Sequence, residues 1–179
     1  MTDKTQKNRK MSTRKLAFLG LFLAFAMILS YVESLIPFYF GVPGMKLGLP
    51  NAAILMVLYI FGPMEALIVN IIRVILTGLM FTNIFSIMFS LFGAIFSFLG
   101  MWLIKKFFKP SIQVVSVFGG LLHNIGQLSC AILIVKNYLV GYYLPVLLIA
   151  GFLTGLLIGI ISAEVLKRIK PIIKNNNDI

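Results

Sequence analysis

The sequence predicts an all-α membrane protein, a compact bundle of six transmembrane helices. Three observations carry that prediction. Of 179 residues, 60% are hydrophobic and only 12% are charged, whereas soluble domains carry about 25% charged residues. The apolar residues fall into runs near the length that crosses a bilayer, about 20 residues. The basic residues are grouped between those runs in a way that alternates from side to side.

The first run is Leu16–Ile36, ended by Pro37, since proline cannot continue the backbone ladder. It is too long for a signal-peptide core, and no A-x-A cleavage site follows, so it reads as a retained helix. Asn51–Phe61 is shorter, set between Pro50 and Gly62-Pro63. Met64–Met80, Ile84–Ile104, Ile112–Val135 and Tyr142–Leu166 complete the set. Residues 1–15 and 167–179 are basic tails flanking the transmembrane domain 16–166.

The net charge of +11 comes from 16 basic and 5 acidic residues. Thirteen of the basic residues form three clusters: Lys4, Lys7, Arg9, Lys10, Arg14 and Lys15; Lys105, Lys106 and Lys109; Lys167, Arg168, Lys170 and Lys174. Six spans with a cytoplasmic N-terminus put all three clusters and both termini inside; five spans would split them across the membrane. This placement explains the charge without nucleic acid. Lys46, Arg73 and Lys136 are the exceptions.

The connection 37–50 holds three glycines and three prolines among apolar residues. It is too apolar for a solvated loop. Irregular backbone at membrane depth is tolerated where protein or a cavity covers it, so the segment reads as a lid over a site or as a tight outer linker.

Few polar residues interrupt the spans. Arg73 lies mid-span and requires compensation; Asn70 is one turn back on the same face. Glu33, Glu65 and Glu164 are further candidate partners. Arg73 is either a structural clamp or a counter-charge for an acidic substrate group. The fifth span carries His123, Asn124 and Gln127, whose polar groups need partners at that depth. They form an interhelical hydrogen-bond cluster or a ligand pocket, and a neutral His123 could ligate haem iron. Substrate-binding candidates are therefore His123, Asn124, Gln127, Arg73, Lys46 and Asn51.

Small residues at four-residue spacing allow close helix approach. The stripe Gly151, Gly155, Gly159 and Ala163 is expected to pack inside the bundle. Ala17, Gly20 and Ala24 on the first helix are available to a separate membrane subunit. Enzymatic chemistry is not expected. Asp3 and Asp178 are the only aspartates, which excludes an Asp-rich magnesium–diphosphate site. There is no P-loop, and the single Cys130 excludes an internal disulfide.

Three strings carry a family resemblance: Leu122-His-Asn-Ile-Gly-Gln-Leu128, Lys46-Leu-Gly-Leu-Pro-Asn51, and Gly62-Pro-Met-Glu-Ala-Leu67 leading to Arg73-Val-Ile-Leu-Thr-Gly78. Together, over about residues 15–170, they resemble the Gx transporter family, often labelled heptaprenyl diphosphate synthase component I. The size and span count also resemble the substrate-binding S components of energy-coupling factor (ECF) transporters. That resemblance implies a bacterial plasma-membrane protein that captures a vitamin or cofactor near its outer side under the first outer loop. It implies a transmembrane coupling subunit that contacts the small residues of the first helix, and two ATPase subunits. Haem is the first ligand expected, with His123 as its metal ligand, and an isoprenoid or quinone precursor the second. The alternative is a non-catalytic accessory subunit of an isoprenoid, quinone or redox system.

Overall fold

The computed structural model describes residues 12–35, 46–81 and 83–174. Among these the chain is helical, with no strand. Six α-helices follow in order: α1 Thr13–Leu35, α2 Asn51–Ile60, α3 Pro63–Phe81, α4 Ile84–Phe107, α5 Ile112–Val135 and α6 Leu144–Lys174. A short 3₁₀ segment, Tyr138–Tyr143, leads into α6. All but α2 are long and apolar enough to cross a membrane. Most of segment 37–50, including the stretch read as a lid or linker, lies outside the described residues, as do Lys4, Lys7, Arg9 and Lys10 of the N-terminal tail.

The helix ends have local causes. Phe61 closes α2 by donating its backbone N–H to the Val57 carbonyl. Gly62 then turns the chain at φ +116°, a conformation that glycine takes without strain. Pro63 opens α3 at a position where no backbone N–H is needed. Asn83 caps α4, its side chain accepting from the Ser86 N–H. Lys105 and Lys106 occupy the last turn of α4, where positive charge suits the helix dipole.

Successive helices alternate in direction. Lys15 at the start of α1 pairs with Glu65 at the start of α3, at 2.6 Å. Lys105 at the end of α4 donates to the Leu58 carbonyl near the end of α2 and lies 4.3 Å above the Tyr59 ring. Tyr59, the start of α5 and the end of α6 share one cavity. The described members of the three basic clusters therefore lie at one end of the bundle. Leu49 and the other end of α2 meet Glu33 near the end of α1, at the opposite end.

The centre of the bundle is α2. Residues 51–58 are all buried, although ten residues rise only about 15 Å, half a hydrocarbon core. Around it the outer helices expose large apolar side chains such as Leu79, Met64, Ile84 and Leu133. So much apolar surface suits lipid rather than water. On one side α1 and α6 stay apart, leaving an apolar groove of about 630 Å³ floored by Ala52 and Met56 of α2.

The α5–α6 seam is closed by glycine, as the small-residue stripe predicts. A Cβ on Gly120 would stand 2.3 Å from the Gly151 carbonyl oxygen. Gly155 and Gly159 press against the α5 backbone at Val117 and Gln113.

Candidate functional site: a polar core under the α2 turn

Half of the buried polar residues among those described gather around the start of α2. Glu33, on α1, is buried and accepts hydrogen bonds from the backbone N–H groups of Gly48 and Leu49, the latter at 3.1 Å. The carboxylate thereby holds the turn that starts α2, where the helix dipole favours negative charge. The Lys46 N–H donates to Gln127 Oε1 at 3.0 Å. The turn 46–50 is thus tied to α1 by Glu33 and to α5 by Gln127.

His123 lies directly beneath this turn. It is 3% exposed, and its Nε2 is 3.1 Å from Gln127 Nε2. Both amide hydrogens make Gln127 Nε2 a donor, so this contact requires the His123 Nε2 lone pair and a proton on Nδ1. Two glycines make room for the ring. A Cβ on Gly48 would come within 3.0 Å of His123 Cδ2, and a Cβ on Gly93 of α4 within 2.7 Å of Cε1. Gly48 also sits at φ +86°, in the region that favours glycine.

Arg73, on α3, is 4% exposed. Its Nη2 donates to Asn70 Oδ1 at 2.9 Å and its Nη1 to Ser30 Oγ at 3.3 Å. Asn70 in turn donates to the Ala94 carbonyl at 3.2 Å. The one-turn Asn70–Arg73 pairing expected from spacing is present. A carboxylate partner is not: the ion pairs among the described residues are Lys15–Glu65, Lys167–Glu164 and Arg168–Glu164. Arg73 and Lys46 nevertheless lie close enough to act electrostatically on Glu33.

Among the described residues, both amide atoms of Asn51 and Arg73 Nε are buried without a hydrogen-bond partner, whereas His123 Nδ1 lies against the Gly93 backbone. Unpartnered atoms are costly in an apolar interior.

The structure brings together His123, Gln127, Asn51 and the Lys46 backbone, with Arg73 alongside on α3. Asn124 goes elsewhere. It faces α6, donating to the Leu147 carbonyl at 2.6 Å, with its amide against Gly151. Ala17, Gly20 and Ala24 are exposed on α1, and a Cβ on Gly20 would meet nothing within 4 Å. Sequence reasoning did not anticipate Gly48, Gly93 and Ser30 as walls of the core. Gly93 carries no local signal, because a glycine within an apolar helix does not reveal what it faces.

The architecture defines a class: a multi-pass helical membrane protein with a polar core enclosed by its spans. A family model described as heptaprenyl diphosphate synthase component I matches residues 22–165. The chain belongs to that family, and the match covers every residue of the core. No curated protein and no solved structure matches.

Proposed function

We propose that this chain is the substrate-binding S component of an ECF-type importer, capturing an amphipathic cofactor or vitamin in the polar core beneath the 46–50 turn. The observation that carries this reading is the set of unpaired buried atoms on Asn51 and Arg73, with the buried His123 ring beside Asn51 under the Gly48 turn. They come from different helices that surround the polar core, where a ligand's polar end can engage them. Two basic side chains, Lys46 and Arg73, stand against the single carboxylate of Glu33, so an acidic group on the ligand balances the core. Haem, with its propionates, is the first ligand to test, and an isoprenoid or quinone precursor the second. Axial ligation by His123 Nε2 would require Gln127 to release it.

In this reading the chain catalyses nothing. The energy comes from two ATPase subunits through a transmembrane coupling subunit that docks on the exposed Ala17–Gly20–Ala24 stripe. The cell membrane of a bacterium is its location, with the basic end inside.

The test is to purify the protein and identify the co-purifying ligand by absorbance and mass spectrometry. Arg73→Gln should then release an acidic ligand, lowering affinity about tenfold or more, as expected for a lost charged hydrogen bond. With haem, a saturable Soret shift that His123→Ala weakens is expected; an unchanged titration removes His123 from the account. The family description, which names a synthase component, favours a second reading as a non-catalytic accessory subunit. Co-purification with a soluble synthase in place of ATPase subunits would support that reading and overturn the first.

A further inference from the structure

At the basic end a second cavity, of about 430 Å³, opens between three helices. Its wall is largely apolar, with Ile112, Ala163 and Leu166, and at its edge stand Tyr59 of α2, Ser111 and Gln113 at the start of α5, and Lys167 and Lys170 of α6. Its polar groups can all donate: the Lys170 ammonium, two hydroxyls and an amide, with the Lys167 ammonium at the rim beside Glu164. No acidic side chain is among the lining residues. Ser111 starts α5 without a side-chain cap bond, so the first-turn N–H groups add partial positive charge at the same place.

Lys105 stands behind Tyr59, its ammonium over the ring at 4.3 Å. The nearest carboxylate along α6, Glu164, is directed outward and engages Lys167 and Arg168 at 3.4 and 3.3 Å. Both of those pairs are exposed and therefore weak. The cavity lining thus holds two lysines and no acidic side chain. Topology alone explains why lysines lie at this end of a membrane protein. It does not explain why they converge with hydroxyl and amide donors on one cavity between helices.

We propose that this cavity binds a phosphate group at the basic face of the membrane. Basic pockets between transmembrane helices are suited to lipid headgroup phosphates, and a soluble phosphate would use the same donors. The site lies at the opposite end of α2 from the polar core, so it stands independently of the importer reading.

The experiment uses full-length protein, delipidated in detergent. Native mass spectrometry with equal amounts of dioleoyl phosphatidylglycerol and dioleoyl phosphatidylcholine measures headgroup preference. Thermal melting in inorganic phosphate against chloride at equal ionic strength measures soluble anion binding. The anionic lipid should be retained preferentially, and Lys170→Gln and Lys167→Gln should each lower that preference about fivefold. Lys106→Gln is the control: Lys106 is at the same end but lies over the Trp102 ring at 5.1 Å, outside the cavity lining. Stabilisation by inorganic phosphate without lipid preference, lost in Lys170→Gln, assigns the site to a soluble phosphate. Equal retention of both lipids with no phosphate effect overturns the proposal. So does a loss in Lys106→Gln as large as in Lys170→Gln, which would mean diffuse surface charge. Unchanged melting of the two lysine variants in chloride separates lost binding from lost folding.

Discussion

His123 is fixed by what is missing around it. Gly48 above and Gly93 beside it leave a space that the imidazole fills, and Gln127 holds its Nε2. A methyl at position 93 would stand 2.7 Å from Cε1 and 2.9 Å from Nδ1 of His123, and 2.9 Å from Gln127 Cγ. The ring cannot retreat, because the 46–50 turn lies on its far side. Gly93→Ala should therefore cost about 1–3 kcal/mol by overpacking, read as a lower melting temperature in detergent, and should weaken ligand retention as well. Gly20→Ala provides the contrast, since a methyl there meets nothing within 4 Å. It should leave melting unchanged or raise it slightly, because alanine favours helix by about 1 kcal/mol over glycine. A loss of stability in Gly20→Ala equal to that in Gly93→Ala would contradict the packing described. At this scale the sequence was partly readable. The i, i+4 spacing of His123 and Gln127 and the i, i+3 spacing of Asn70 and Arg73 placed each pair correctly. Asn124, adjacent to His123, turns about 100° around the helix and joins α6 instead. Which neighbour fills each sector depends on long-range packing, which single-helix spacing does not contain.

Helix boundaries show the same division. Ile112–Val135 is both the apolar run and the observed α5, because Lys136 follows in the left-handed conformation that ends a helix. The last helix runs on from the apolar run's end at Leu166 to Lys174. Charge marks where the hydrocarbon stops, but Lys, Arg and Ile remain good or adequate helix formers, and the helix continues through Pro171 against that residue's preference. The long α6 meets α5 through glycines, and its stability depends on their lack of a side chain. At Gly120 the obstacle is the Gly151 carbonyl at 2.3 Å. This is backbone, with no rotamer to change, so the helices themselves must separate. Gly120→Ala should destabilise more than Gly93→Ala, by at least about 3 kcal/mol, the upper range of ordinary overpacking. Melting of the two variants side by side decides the order. Equal or smaller damage at position 120 would mean that the seam is looser than it appears.

For the whole molecule the question is whether α2 carries the chain across the membrane. Its ten residues are too few to span alone, yet its two ends touch opposite ends of α1. Leu49 bonds Glu33 near the end of α1, while α2's other end leads through Gly62 to Glu65, which pairs with Lys15 near the start of α1. If α2 crosses, the remaining depth must come from the turn 46–50, where Gly48 and Pro50 are buried and irregular backbone is tolerated. The charge pattern favours a crossing by α2, since only an even number of spans gathers the basic clusters on one side. Cysteine labelling tests both arguments at once. Cys130 is 1% exposed and should not react, and Cys130→Ala removes it from the background. In intact cells a membrane-impermeant maleimide should label Asn137→Cys and Tyr138→Cys, at the exposed 3₁₀ end. It should reach Ser12→Cys, Lys109→Cys and Lys167→Cys only after permeabilisation. Reversal of the whole pattern would invert the orientation but keep the fold. Labelling of position 12 from the side opposite to position 109 would show that α2 does not cross. That result would also contradict the Lys15–Glu65 pair, because an ion pair cannot join residues on two sides of a bilayer.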